Sequence, residues 1–202
     1  MDIFSLALPA LLVVLSLAVY FVSIFNRLQR LRNGSQATLS QIRVAMKKRL
    51  DMIEQLVDSV KSYARFERNT LEDITRLRTT LEDAGPGELG RINGASQGLL
   101  GSVQAVAESY PNLKTSEAVT STMAAIRDVE DEIARQRYTY NNIIQEFNTL
   151  LDTFPSGMVA STSGLGKLDY LNFEEDELRR SGYLTTEELE PRRPEVTWSE
   201  GE

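Results

Sequence analysis

The chain has 202 residues, no cysteine, no histidine and a formal net charge of −7 at pH 7. Without cysteine and histidine it lacks disulfides, thiolate zinc sites, cysteine nucleophiles and the commonest general base and metal ligand. We therefore predict a non-enzymatic protein that holds no cofactor and no metal. Acidic residues concentrate after residue 155, which leaves the rest of the chain nearly neutral, so nucleic acid is not an expected partner.

An uncharged apolar segment runs from Ile3 to Phe25. We call it the anchor. As an α-helix it would extend about 34 Å, enough to cross a hydrocarbon core of about 30 Å. A cleaved signal peptide is the alternative, but it requires a basic start and a shorter apolar core, whereas Asp2 precedes this segment. We predict a retained, single-pass transmembrane helix.

Basic residues after the anchor predict its orientation. The stretch that follows Phe25 contains several basic residues and no acidic one, which puts the N-terminus outside and the bulk of the chain in the cytoplasm. The three nearest, Arg27, Arg30 and Arg32, are expected to meet lipid headgroups. Arg43 to Arg49 would lie several Debye lengths further out and are expected to form a solvated face. A bend at residues 33–35 is the alternative that would bring them back.

Apolar residues at helical spacing predict three amphipathic segments after the anchor. The first, Gln36–Asp83, carries a stripe that is interrupted at Arg65–Asn69. The second, Glu88–Ser109, contains glycines that either weaken the helix or allow close helix contact. The third, Ser116–Asp152, has the most regular spacing, and Ser116 is a plausible N-cap.

The lengths of these segments leave two architectures. If Gln36–Asp83 is one straight helix of about 72 Å, the shorter segments leave apolar stripes exposed, and self-association is required. If the chain reverses near Arg65–Asn69, the stripes are buried within one chain. We favour the second. The predicted fold is all-α: a transmembrane helix followed by an antiparallel up-down-up-down four-helix bundle with long first and last helices.

Three parts of the chain follow from this fold. Residues 1–26 are the predicted extracytoplasmic N-terminus and transmembrane helix, residues 27–155 the cytoplasmic bundle, and residues 156–202 an acidic, largely disordered tail. The last helix would end beside the bilayer, so Phe154 and Met158 are expected at headgroup level. Within the tail, Leu168–Phe173 is apolar enough to dock on the bundle.

Two charged residues occupy positions of the last apolar stripe. Glu130 and Arg137 are too far apart in sequence for a direct helical pair, so each is expected to meet a partner on another helix. Glu67 and Lys61 are candidates. We interpret Glu67, Glu130 and Arg137 as a buried polar network that sets helix register, with a ligand pocket as the alternative.

Aromatic and amide side chains cluster near the end of the same segment. A binding face is one interpretation of this set, which contains Tyr138, Tyr140, Asn141, Phe147 and Asn148. Tyr140 and Phe147 fall within the apolar stripe, so packing is the preferred interpretation.

Several short stretches match one protein family in order and spacing. They include Lys47-Lys48-Arg49-x-Asp51-Met52-Ile53, Tyr110-Pro111-Asn112-Leu113-Lys114, Arg137-x-x-Tyr140-Asn141 and Phe154-Pro155. The chain resembles the LemA-like membrane proteins from about Phe21 to Phe173. The resemblance implies an N-terminal membrane helix and a four-helix cytoplasmic bundle, but no established biochemical activity. One branch of that family takes part in building magnetosome membranes, and members are often encoded near membrane peptidases.

The predicted function is a membrane-anchored, non-enzymatic interaction or scaffold module at the cytoplasmic face. The alternative is an accessory subunit or regulator of a membrane peptidase or of a membrane-remodelling system. The expected partners are the lipid bilayer, unidentified membrane or cytoplasmic proteins, and further copies of this chain.

Overall fold

The computed structural model describes the backbone of residues 3–60 and 68–172, and the side chains of residues 8–60, 70–113 and 115–172. These residues form helices and no β-strand. The helices are α1 (Ile3–Val60), α2 (Arg68–Leu81), α3 (Pro86–Ser109), α4 (Pro111–Lys114), α5 (Glu117–Asp152) and α6 (Ser156–Thr162). The prediction of an all-helical chain with a long apolar N-terminal helix is confirmed. The described part has six helices rather than a plain four-helix arrangement, because short helices follow Tyr110 and Pro155.

α1 contains both the anchor and the first helix of the bundle without interruption. At 1.5 Å per residue, its 58 residues extend about 87 Å. The alternative of a bend at residues 33–35 is not realised, and the Ser35 and Thr38 hydroxyls donate to carbonyl oxygens of the preceding turn at 2.8 and 2.9 Å. Side chains from Leu8 to Ser23 are exposed on every face, and burial begins at Ile24. The folded bundle therefore starts where the anchor ends.

α2 packs antiparallel on the half of α1 that is far from the anchor. Arg78 bonds to Asp51 and Glu54 at 2.6 and 2.7 Å, and Arg43 donates to the carbonyl oxygen of Ala84 at 2.7 Å. The chain therefore reverses between Val60 and Arg68, and a single straight helix over residues 36–83 is wrong. Residues 61–67 themselves lie outside the described residues.

α3 and α5 complete this far half. α3 begins with Pro86, whose ring favours the first turn of a helix, and it ends at Ser109, because Tyr110 is extended before Pro111. α5 begins after Ser116 as predicted, although the Ser116 side chain makes no capping bond. α5 packs along most of α1. Their shared core includes Ile42, Leu50, Ile53, Leu56, Ile126, Ile133 and Ile144.

The half of the α1–α5 pair near the anchor is covered by the chain that follows α5. Phe147 packs there with Leu28 and Ala160 in a second core. Between α5 and α6 the Phe154–Pro155 peptide bond is cis. The corner requires Gly157, because a Cβ at that position would lie 2.6 Å from the carbonyl oxygen of Leu151.

After α6, residues 163–172 run without helical structure along α5. We call residues 163–172 the strap. The prediction that a disordered tail begins at residue 156 is therefore wrong for residues 156–172, because Val159, Ala160 and Leu171 are buried against the helices. The predicted docking of residues 168–173 is found at Leu168 and Leu171. The acidic residues from 173 onward lie outside the described residues.

Candidate functional site

The end of α5 lies beside the anchor. The Arg27 Nη2 donates to Glu146 Oε1 at 2.7 Å. Arg27 of α1 and Glu146 of α5 therefore lie at the same height along these antiparallel helices. Asp152 is six residues beyond Glu146 and therefore lies about 9 Å closer to the N-terminal end of α1, level with Phe21. The corner after α5 thus reaches the last turns of the apolar segment.

Phe154 and Met158 are the exposed apolar side chains of this corner. Their exposed fractions are 83% and 63%, whereas Val159 and Ala160 on the other face of α6 are buried. The two residues therefore present an apolar surface at the level of the anchor's end. We call Phe154 and Met158 the anchor-end surface.

The three arginines nearest the anchor are not equivalent. Arg27 is paired with Glu146, and both side chains are about half exposed, so this pair adds little stability. Arg30 and Arg32 are also exposed. The structure thus places all three on the first turns of α1 after the anchor, and it joins Arg27 to α5.

The buried polar contact of the bundle is centred on Arg49. This side chain is 1% exposed, its Nη2 donates to the Ser96 hydroxyl, and its Nη1 lies 3.9 Å from Glu130 Oε1. Burial lowers the pKa of Arg49 to about 10, against the opposing effect of Glu130, so the guanidinium is charged at neutral pH. The prediction that residues 43–49 form a solvated face is wrong for Arg49, which occupies the buried stripe between Met46 and Ile53.

The predicted polar network is brought together only in part. Among the described residues, Glu130 meets Arg49 on another helix, a partner that the sequence did not suggest. Arg137 is half-buried. The side chains of Glu67 and Lys61 lie outside the described residues. The signal for Arg49 was its position three residues after Met46 and four before Ile53, a spacing typical of a buried helix face.

Two asparagines of α5 hold the strap by its backbone. We call Asn141 and Asn148 the asparagine pair. Asn141 donates to the Leu171 carbonyl at 3.0 Å and accepts from the Leu171 N–H at 2.9 Å. Asn148 makes the same two bonds to Leu168, at 2.9 and 3.0 Å. A side-chain amide has the donor and acceptor of a peptide group, so each asparagine makes the pair of hydrogen bonds that a neighbouring β-strand would make with the strap backbone.

The spacing of the asparagine pair matches that of an extended chain. Seven residues of α-helix rise about 10.5 Å, and three residues of extended chain cover about 10 Å. This is why Asn141 and Asn148 bind strap residues that are three apart. The Tyr140 hydroxyl donates to the carbonyl oxygen of Asp169, which lies between Leu168 and Leu171 in the strap, at 3.1 Å. Burial, and to a smaller extent the negative charge of Asp169, raises the pKa of Tyr140.

The packing interpretation of this face of α5 does not include the binding of the strap backbone by the asparagine pair. Tyr140 and Phe147 are indeed buried, as that interpretation requires. The available signal was a pair of amides seven residues apart beside an apolar stripe. A groove of about 220 Å³ remains between the strap and α1, lined by residues that include Leu39, Pro86 and Leu168. Among the described side chains, no group of three or more acidic residues could hold a metal ion.

Comparison with known proteins identifies the family. A model described as the LemA family matches residues 38–182, which is well over half of the sequence. The chain belongs to the LemA family. The match covers most of the bundle and all of the strap, and it begins after the anchor. LemA is not a known family of enzymes.

Individual relatives agree with this assignment. Protein LemA of Metamycoplasma hominis is 32% identical over 175 residues, which cover 83% of this chain and 78% of that protein. Magnetosome protein MamQ of Magnetospirillum gryphiswaldense is 22% identical over 189 residues, covering 79% and 70%. Magnetosome protein MamQ 1 of Paramagnetospirillum magneticum is 23% identical over 187 residues, covering 78% and 69%.

The LemA assignment and the anchor together indicate a membrane-associated protein. α1 contains a window with a mean hydropathy of 2.5 and no buried residue, so it is long and apolar enough to span a membrane.

Proposed function

We propose that this LemA-family protein is a membrane-anchored, non-enzymatic scaffold whose helical bundle binds other proteins at the cytoplasmic face. The observation that carries the proposal is the continuity of α1. Its residues 8–23 have no protein covering them, whereas from Ile24 onward the same helix forms the core of the bundle. Because no loop separates the two parts, the tilt of the anchor in the bilayer also sets the direction of the bundle.

The cytoplasmic side is supported by the basic residues that follow the anchor, with Arg30 and Arg32 exposed. From Phe25 to Val60 the helix rises about 52 Å. The far half of the bundle is then held well away from the lipid, where it is accessible to soluble partners.

The topology is tested by cysteine labelling, since the natural chain has no cysteine. Asp2→Cys and Asp131→Cys are made separately in the full-length chain and treated with a membrane-impermeant maleimide on intact cells. We expect the thiol at position 2 to react at once and the thiol at position 131 to react only after the membrane is permeabilised. The opposite pattern, or equal labelling of both on intact cells, would contradict the proposal.

We further propose that the anchor-end surface lies in the headgroup region. Its support is the level of the α5–α6 corner, beside the last turns of the anchor, and the exposure of Phe154 and Met158. A photo-reactive phenylalanine analogue at position 158 should form adducts with lipid in native membranes. The same analogue at Ser121, an exposed residue at the start of α5, serves as the control and should not. Equal lipid yield at both positions would refute the placement.

An accessory subunit or regulator of a membrane peptidase or membrane-remodelling system is the second candidate. Its support is that several relatives are named magnetosome proteins. Proximity labelling with the full-length chain in native membranes distinguishes the candidates. One dominant peptidase or remodelling partner favours the regulator, and a broad set of partners together with copies of the chain favours the scaffold.

A further inference from the structure

The strap occupies a site that is selective for conformation more than for sequence. The four bonds of the asparagine pair and the bond from Tyr140 all go to backbone atoms. The side-chain contribution comes mainly from Leu165, Leu168 and Leu171, of which Leu171 is buried. The groove beside α5 therefore fits an extended peptide with apolar residues three positions apart.

We propose that this groove also binds the strap of a second copy of the chain, so that neighbouring copies in one membrane are joined by exchanged straps. A second copy carries the segment that the groove is seen to hold. The contacts that Leu168, Asp169 and Leu171 make in the exchanged state equal those made within one chain, so exchange keeps the bonds to the asparagine pair and to Tyr140.

Geometry permits the exchange. The strap leaves α6 at Ser163-Gly164, and Gly164 has a φ of 66°, which glycine adopts without strain. The five steps from Ser163 to Leu168 span about 17 Å when extended, which exceeds the 8–10 Å between the axes of packed helices. This segment, the hinge, is therefore long enough to reach a groove on a second copy whose helices pack directly against the first.

The anchor also favours a second copy of this chain as the partner. Two copies inserted in the same orientation hold their grooves at the same height above the bilayer, so a released strap meets a neighbouring groove without a vertical offset. Reciprocal exchange then gives a two-fold dimer whose axis is perpendicular to the membrane. This step depends on α1 spanning the membrane, as proposed above, but not on lipid contact by Phe154 and Met158.

Mixed-chain crosslinking tests the exchange. Lys167 lies 2.9 Å from Asp152, and both side chains are exposed, so cysteines at these positions report strap docking. Full-length chains that carry Asp152→Cys (the acceptor) and Lys167→Cys (the donor), with tags of different size, are co-expressed and treated in native membranes with a short bismaleimide. We expect a covalent heterodimer. An acceptor with Asp131→Cys instead measures random collision and should give at least about tenfold less.

Two further variants separate docking from misfolding. On the donor, Leu171→Glu should reduce the heterodimer about tenfold or more, whereas Asn172→Glu, a change at the exposed neighbour, should not. The acceptor bundle is unchanged in both, so its folding is not in question. On the acceptor, Asn141→Ala with Asn148→Ala should reduce the yield similarly, whereas the exposed pair Asn142→Ala with Gln145→Ala should not.

The outcomes are decisive in either direction. A heterodimer above the collision control that is lost with Leu171→Glu supports strap exchange. The proposal is overturned by a yield equal to the collision control while the single chain with both cysteines crosslinks internally. It is also overturned by a heterodimer that is insensitive to Leu171→Glu. The topology experiment reports separately whether the anchor spans the membrane, so the two failures are distinguishable.

Discussion

The two halves of the α1–α5 pair are stabilised in different ways. Far from the anchor, α2 and α3 complete a helical core, and the buried charged side chain of Arg49 is held there by Ser96 and Glu130. Near the anchor, α6 and the strap are the described elements that cover the pair. There the strap is held by amide bonds to its backbone and by three leucines, Leu165, Leu168 and Leu171.

The difference follows from helix length. α2 and α3 have 14 and 24 residues, whereas α5 has 36, so the middle helices cannot cover the full length of the α1–α5 pair. The apolar stripe near the anchor would be exposed without another cover, which is unfavourable. A non-helical segment buries fewer side chains than a packed helix, so we expect the strap to open at a lower free energy than the far half.

In the half near the anchor, substitution of the buried aromatic residue Phe147 should lower stability the most. Phe147 is fully buried against Leu28 and Ala160, so Phe147→Ala should lower the free energy of unfolding by about 3–5 kcal/mol. The measurement is denaturant unfolding of the full-length chain in micelles, followed by circular dichroism. Tyr138→Ala, an exposed change on the same helix, should stay within about 0.5 kcal/mol. Equal effects of the two changes would mean that no core exists here.

The far half can be examined through Arg49. Arg49→Ala leaves a cavity and should cost about 2–4 kcal/mol, whereas Arg49→Met fills most of the volume and should cost less than about 1.5 kcal/mol. The Glu130 side chain is 34% exposed, so it can turn to water when its partner is removed. The same unfolding measurement applies. If methionine proves as costly as alanine, the charge of Arg49, and not its volume, stabilises the core.

Asn148→Ala should destabilise the strap without destabilising the half of the bundle far from the anchor. Removing both bonds to Leu168 should cost about 1–3 kcal/mol and speed amide hydrogen exchange in the strap, with exchange in α2 unchanged. Gln145→Ala, at an exposed position of the same helix, should change strap exchange by less than about 0.5 kcal/mol. Faster exchange throughout the bundle would show that the strap and the far half open together.

Tyr140→Phe should have the smallest effect, about 0.5–1.5 kcal/mol, because it removes one hydrogen bond to the strap. The folded-state pKa of Tyr140 is raised, so its contribution is fully present below the ordinary pKa of about 10 and is lost as pH rises through the folded value. The difference between natural chain and variant, measured by unfolding at pH 8 and near pH 11, should therefore shrink at the higher pH. A difference that grows with pH would contradict this assignment.

Much of the fold was predictable because local patterns specify it. The anchor follows from an uncharged apolar segment, and α3 and α5 follow from helical spacing and from proline at their boundaries. The burial of Arg49 follows from its helical spacing to Met46 and Ile53, but the neighbouring lysines favoured a solvated interpretation. The strap was harder to predict, because the bonds that order it join side-chain amides to backbone atoms distant in sequence and require no particular strap sequence beyond its leucines.

The sequence by itself determined the all-helical fold, the apolar N-terminal helix and the family, because hydrophobic spacing and local motifs are properties of neighbouring residues. Only the tertiary structure decided where α2 and α3 stop covering the α1–α5 pair, that Arg49 is buried, and that residues 163–172 complete the bundle. These features depend on the relative positions of whole helices. The asparagine pair binds the strap because two helical turns and three extended residues have nearly the same length.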